Sequence, residues 1–248
     1  MTPPPTPPRR GEGSQRHDQL LPVTETDVRR VAAMLARAFQ DDPLMRYAIP
    51  DDERRRRLLP RLIALNVRYG RRYGEVYAAP GFEGAAIWLP PGQTRMTLWR
   101  ILRAGMFTAP LWAPWSVLRR LAVSGEHAAA LQRRCLTEPH WYLSQVGVEP
   151  AAQRRGVASR LLEPMLARMD AAALPCYLET ENAANLAYYQ RFGFRITAEE
   201  TTPGGPPIWG MVRFPIPSGP PLLWEWGSGS EVRGTVSLFP LEEANRHQ

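Results

Sequence analysis

The sequence predicts an α/β (α+β) protein, with a mixed central sheet flanked by helices and a helical insertion in mid-chain. Two observations lead there. From His140 onward, strand-like segments alternate with amphipathic ones in the order strand, turn, helix, strand, helix, strand, strand. Ahead of them, one hairpin pattern is followed by a stretch, about 93–135, that reads as helical. With 248 residues, 44% of them hydrophobic, the chain can bury one sizeable core.

The elements follow in order. Residues 1–18, MTPPPTPPRRGEGSQRHD, hold no apolar core segment, so they do not read as a secretory signal, and their composition predicts a disordered tail. From Thr24, TETDVRRVAAMLARAF places Val28, Val31, Leu35 and Phe39 at helical spacing, with Thr24 and Asp27 as a capping pair. A second helix covers Asp51 to about Tyr69, with Leu58, Leu62 and Leu65 on one side and the Glu53–Arg57 run mostly on the solvated side. EVYAA and GAAIWLP, either side of Pro80 and Gly81, form a hairpin. In the insertion, Met96, Trp99, Leu102, Phe107, Trp112 and Trp115 either line a cleft or pack on the sheet. Core packing is the expectation, because large apolar side chains are usually inside.

Strand WYLSQVGV, a helix from about Arg155 to Asp170, strand CYLET, a helix from Asn182 to Arg191, and strands FRITAEE and IWGMVRF complete a domain over 19–215. Residues 216–248 read as a tail rich in Pro, Gly and Ser, in which VRGTVSLFP could add one edge strand.

Charge and cysteine content exclude several classes. The formal net charge is +7, and all 31 cationic side chains are arginine. They are spread along the chain without a stripe, which argues against nucleic acid as a partner. Cys135 and Cys176 are too few for a disulfide framework and suit the reducing cytoplasm. The charge-free stretch 104–118 contains Pro110 and Pro114 and is too short to span a bilayer, so no membrane partner is expected. No G-x-S-x-G, H-E-x-x-H, P-loop or Cys/His metal spacing occurs, and no metal is expected. His17, His127, His140 and His247 are scattered, and His140 beside Trp141 reads as a packed or surface residue.

The chemistry concentrates in GVEPAAQRRGVASRLL, which sets Q-R-R-G-V-A at the start of an amphipathic helix after a strand. A first helical turn presents unpaired N–H groups and the positive end of the dipole, and Gly156 and Ala158 let an anion approach closely. Small residues there could equally serve helix-to-sheet packing. A second segment, ETENAANLAYYQRFGF, sets Tyr189 four residues before Gly193 and seven after Asn182.

Together the two segments resemble the acetyl-CoA-binding turn and C-terminal helix of the GNAT N-acetyltransferases. The resemblance runs over roughly residues 20–215 and is strongest from 137. Within that superfamily EPHWYLSQVGVEPAAQRRGVASRLLEP, PCYLET, YYQRFGF and PGGPPIWGMVR are similar to the puromycin N-acetyltransferase branch, Pro164 and Asn185 included.

The resemblance implies the GNAT fold, with two splayed strands between which Val146, Gly147 and Val148 pair with the pantetheine arm of acetyl-CoA, the Val148 amide polarising the thioester carbonyl. It implies that the amides of Arg154, Arg155, Gly156, Val157, Ala158 and Ser159 hold the diphosphate, that Asn182 or Asn185 touches the cofactor, and that Tyr189 protonates the leaving thiolate. Direct transfer in a ternary complex needs neither a covalent enzyme intermediate nor a metal.

Glu179, at a strand end, is the candidate general base, or an ordinary strand-end carboxylate. Two positions depart from the family pattern. Ala158 stands where many relatives carry Gly, and Tyr142 where some protein-acetylating members carry a catalytic Glu, which leaves the base open. The acceptor is expected to be a small-molecule amine and the enzyme a monomer or homodimer. A peptide acetyltransferase and a non-catalytic acyl-CoA-binding module are the alternatives.

Overall fold

The computed structural model describes residues 20–95, 97–202 and 204–216. The tail expected at 1–18 and all but the first residue of the tail expected at 216–248, with the edge strand at VRGTVSLFP, lie outside the described residues.

Strands β1 (Leu21–Pro22), β2 (Glu75–Ala78), β3 (Gly84–Leu89), β4 (Trp141–Val148), β5 (Cys176–Thr180), β6 (Arg195–Thr201) and β7 (Pro207–Arg213) form one sheet in the order β1-β2-β3-β4-β5-β7-β6. Only β4 and β5 run parallel. The helices are α1 (Val28–Ala38), α2 (Pro43–Ala48), α3 (Asp52–Tyr73), α4 (Leu98–Arg103), α5 (Trp115–Cys135), α6 (Val157–Ala171) and α7 (Leu186–Gln190).

Strand alternation divides the core between two faces. Val76, Ala78, Ala85 and Ile87 pack under the apolar stripes of α1 and α3, among them Val31, Leu35, Leu59 and Ile63. Ala86, Trp88, Trp141, Leu143, Cys176 and Leu178 pack on α6 and α7 through Leu161, Met165 and Tyr189. Each fully buried side chain such as Leu35 or Leu161 stabilises the fold by about 1.5–3 kcal/mol.

The expected α1 begins as read, with Asp27 accepting from the Thr24 amide at 2.9 Å. Helix α2 was not expected. Asp42 caps it by accepting from the amides of Leu44 and Met45, and Pro43 fills its first turn. Buried Arg55 holds the preceding loop by donating to the carbonyls of Gln40 and Ile49, which fixes where Asp42 stands. Helix α3 runs about a turn past its expected end, to Gly74, where a Cβ would lie 2.0 Å from the Trp88 carbonyl oxygen.

The insertion is helical, but its aromatic side chains are not core. Trp99, Phe107 and Trp115 are 62%, 58% and 74% exposed, and Leu102 is exposed as well. Trp112 is half-buried, with the Arg61 guanidinium 5.1 Å over its ring, and Met96 is outside the described residues. The sheet face beneath is already filled by α3 and α5 side chains such as Tyr69 and Leu131. The insertion therefore buries its small residues Ala104, Ala109, Ala113 and Val117 instead.

Candidate active site

The loop from β4 into α6 builds an anion cradle. Arg154 and Gly156 both adopt left-handed backbone, at φ 62 and 76, so successive N–H groups converge there. The first bond of α6 is Arg160 N–H to the Gly156 carbonyl at 3.1 Å. Among the described residues no acceptor takes the amides of Arg154 to Ser159. A Cβ at Gly156 would meet no protein atom, so glycine serves the backbone angle and leaves open space above the amides. Arg154 and Arg155 are exposed beside it. Unpaired donors, the positive end of the helix dipole and two guanidinium groups suit a diphosphate.

Next to the cradle the sheet opens. Strands β4 and β5 pair only at Trp141↔Cys176 and Tyr142↔Tyr177, then part. On its other edge β4 stays paired with β3, where Gln145 stands opposite Ile87 and Leu143 opposite Trp88, leaving Ser144 as a bulge. Beyond it, Glu149 N–H donates to the Glu83 carbonyl on the β3 side, and the Gly147 carbonyl also lies against β3 at Gly84. By alternation Val146 and Val148 turn their backbone groups into the gap, while those of Gly147 are in the β3 ladder. Gly147 lets α1 pass closely, since a Cβ there would stand 2.7 Å from Leu35 Cδ2.

At the mouth of the gap stands a group of carboxyls and phenols. Tyr142 donates its hydroxyl to Glu179, whose carboxyl burial pushes up to about 7. Burial, and then the negative charges of Glu179 and Asp42, push Glu181 up to about 8. Asp42 is raised too, burial outweighing its cap hydrogen bonds. The Tyr177 ring lies 5.9 Å from that of Tyr142.

Tyr189, on α7, is 8% exposed, with its ring edge-on to Tyr188 and Phe194. Burial, and then the surrounding negative groups, hold its hydroxyl well above the ordinary phenol range, so it stays protonated. Asn182 accepts from the Ala184 amide at 3.1 Å, and the Asn185 side chain caps nothing at the start of α7. Ser159 Oγ lies 3.4 Å from the Tyr188 hydroxyl, joining cradle to α7. His140 is buried, with its ring nitrogens on the Glu138 carbonyl and Gln132.

The structure thus brings Glu179 and Tyr189 to one site and the 154–159 amides beside it. Sequence reading missed Asp42, Glu181 and Gln145. The Asp42–Pro43 pair is a helix-start signal, and Glu181 stands two residues after Glu179, just past the end of β5, so two of the three had a signal.

Residues 115–194 match the sequence model of the Acetyltransferase (GNAT) family, and the mixed sheet with its flanking helices is the fold of GNAT acetyltransferases. An uncharacterized N-acetyltransferase of Schizosaccharomyces pombe is 28% identical over 180 residues, 69% of this chain and 72% of that protein. Of solved structures, the histone acetyltransferase HPA2 and related acetyltransferase of Corynebacterium glutamicum is similar at a TM-score of 0.55 with 23% identity, covering 81% of this chain and 98% of that one. Arylalkylamine N-acetyltransferase 2 of Aedes aegypti is similar at 0.54 with 11% identity, covering 79% and 98%. No helix among the described residues is long and apolar enough to cross a membrane.

Proposed function

We propose that this acetyltransferase moves the acetyl group of acetyl-CoA to a primary amine of a small molecule by direct transfer. The observation that carries the small-molecule reading is closure of the acceptor side. Helix α5 packs on β5, β6 and β7 and against α2, while Ala104 and Met106 of the insertion pack with Tyr69, Leu89 and Tyr142. Helices therefore wall the sheet face that carries Tyr142 and Glu179, whereas an extended peptide needs an open groove.

The donor supplies an activated thioester carbonyl. The amides of Arg154 to Ser159 take its diphosphate, and Val146 and Val148 face its pantetheine arm, with the Val148 N–H donating to the carbonyl oxygen as charge develops. Asn182 or Asn185 steadies it from the next turn. Glu179, near neutrality and held by Tyr142, accepts the proton of the incoming ammonium so that the free amine attacks. Tyr189 gives its proton to the departing sulfur.

The test is thiol release from acetyl-CoA against puromycin-like aminonucleosides, which the puromycin-branch resemblance recommends, aminoglycosides, polyamines and peptides, with calorimetric acetyl-CoA titration. Release with small amines is expected. Release with peptides alone would replace the acceptor class, and binding without release by any acceptor would leave a non-catalytic acyl-CoA-binding module.

A further inference from the structure

The insertion lies lengthwise on α3. Its Val117 shares an apolar cluster with Leu58 and Leu62, its Trp112 sits under the Arg61 guanidinium, and its Ala104 shares a cluster with Tyr69 and Tyr73. Leu58, Leu62, Tyr69 and Tyr73 recur along α3 at helical spacing and so form one stripe, about 20 Å long at 1.5 Å per residue. With one side of the insertion laid on that stripe, the other is turned to solvent. Trp99 and Leu102 of α4, Phe107 and Leu111 of the short 3-10 helix Met106–Leu111, and Trp115 at the start of α5 are all exposed, Leu111 to 83%. They fall between the inward positions Ala104, Ala109, Ala113 and Val117, so the exposure is a face of the folded segment and not a fraying end.

The charge of this face is one-sided. From Gly84 to Gly125 the chain has no Asp or Glu but five arginines, Arg95, Arg100, Arg103, Arg119 and Arg120. Elsewhere carboxylates hold arginines, as Glu25 holds Arg68 and Arg71 and Glu149 holds Arg37, whereas none of these five pairs with a carboxylate among the described residues. Arg100 and Arg120 donate to backbone carbonyls of the insertion's surroundings, at Gly92, Arg95 and Tyr47. Arg95, Arg103 and Arg119 are exposed, and the Arg103 guanidinium lies 4.8 Å over the Trp99 ring.

Contiguous apolar side chains of this size seldom stay bare on a monomer, and the charge around them selects what covers them. From these observations we infer that this face docks the protein on the surface of a bilayer containing anionic lipid, without crossing it. Tryptophan, phenylalanine and leucine enter the boundary between headgroups and acyl chains, while guanidinium groups on their apolar stems stay at the lipid phosphates. A second copy of the chain would set these arginines against their own counterparts, with no carboxylate of the stretch to offset them. A nucleic acid would stack on the rings but find nothing to stack on in Leu102 and Leu111. A stretch too short to span a bilayer can lie on one, so the expectation of no membrane partner gives way on this face.

The test is cosedimentation of the full chain with vesicles of phosphatidylcholine alone and of phosphatidylcholine mixed with phosphatidylglycerol. Affinity for the mixed vesicles is expected to be about tenfold or more the higher. It falls about tenfold or more in the variant carrying Trp99→Ser, Phe107→Ser, Leu111→Ser and Trp115→Ser, whose exposed positions leave the circular dichroism spectrum unchanged. It also falls more in Arg103→Gln with Arg119→Gln than in Arg133→Gln with Arg195→Gln, which removes the same charge from exposed sites elsewhere. Brominated phosphatidylcholine in the mixed vesicles quenches the tryptophan fluorescence of the parent, and Trp99→Phe with Trp115→Phe, which keeps an aromatic ring at both positions, loses most of that quenching. No sedimentation with the mixed vesicles would overturn the inference, as would binding that survives the four serines or quenching that survives both phenylalanines. If vesicle binding is absent while the four serines abolish self-association or binding of poly(U), a second copy or a nucleic acid is the occupant instead.

Discussion

Replacing Tyr142 by Phe removes the hydroxyl that donates to Glu179 while keeping the ring. A hydrogen bond to a charged group is worth about 1.5–3 kcal/mol. At 1.36 kcal/mol per pKa unit, its loss raises the carboxyl by roughly one to two units. The Tyr177 hydroxyl close by also lowers the Glu179 pKa and takes up part of that loss, so the shift belongs at the lower end, from about 7 to about 8. The sign follows from the role: a general base works only when deprotonated, so activity rises with pH through its pKa, and the variant needs more alkaline solution to reach its plateau. The assay is the pH profile of kcat at saturating substrates. It is repeated in a Glu181→Gln background, because Glu179 and Glu181 titrate as a coupled pair. A rising limb that stays in place or moves to lower pH would refute the assignment, as would one that tracks the pKa of whichever amine is supplied.

Tyr189→Phe keeps acetyl-CoA affinity and lowers turnover by roughly ten- to ten-thousand-fold, read by thiol release beside calorimetric titration; unchanged turnover removes Tyr189 from the proton path. Gly156→Glu loses acetyl-CoA binding in a chain that still folds by circular dichroism, since the new side chain brings like charge into the open space over the cradle; retained binding would show that the diphosphate lies elsewhere. Glu181, with its folded pKa raised from 4.5 to about 8, binds more protons in the folded than in the unfolded state, so its contribution to stability is present at low pH and declines as pH rises from about 4.5 to about 8. Glu181→Gln therefore melts about 2–4 °C or more above the parent at pH 8.5 and close to it at pH 5; the opposite pattern would mean that Glu181 is compensated in the folded protein.

The alternating order after His140 was legible because each segment there has one period and a clear stop, and the GVEPAAQRRGVASRLL turn combines local propensities that agree with one another. What escaped were features set by distance in the chain. Tyr142 and Glu179 are 37 residues apart and meet only because their strands run parallel side by side. Asp42 reaches the same place from a loop held by Arg55, whose own reading from sequence was a solvated arginine among others. The tryptophans of the insertion misled in the other direction. Hydrophobicity says that a side chain gains from burial, but whether room exists beneath it depends on Tyr69 of α3 and on Leu131 near the far end of α5. Gly147 reads as part of a cofactor strand, yet its lack of a side chain answers to α1 on the opposite face.

The seam between β4 and β5 is only two residue pairs long, so the seven strands behave as two ribbons stitched at one end. A pantetheine arm lying in the opening would supply rungs that the polypeptide omits, and the donor would then be a structural member of the sheet during turnover. Hydrogen exchange gives this a direct expression: the amides of Val146 and Val148 exchange freely in the empty enzyme and become protected when CoA binds, while the Gly147 amide, already in the β3 ladder, is slow in both states.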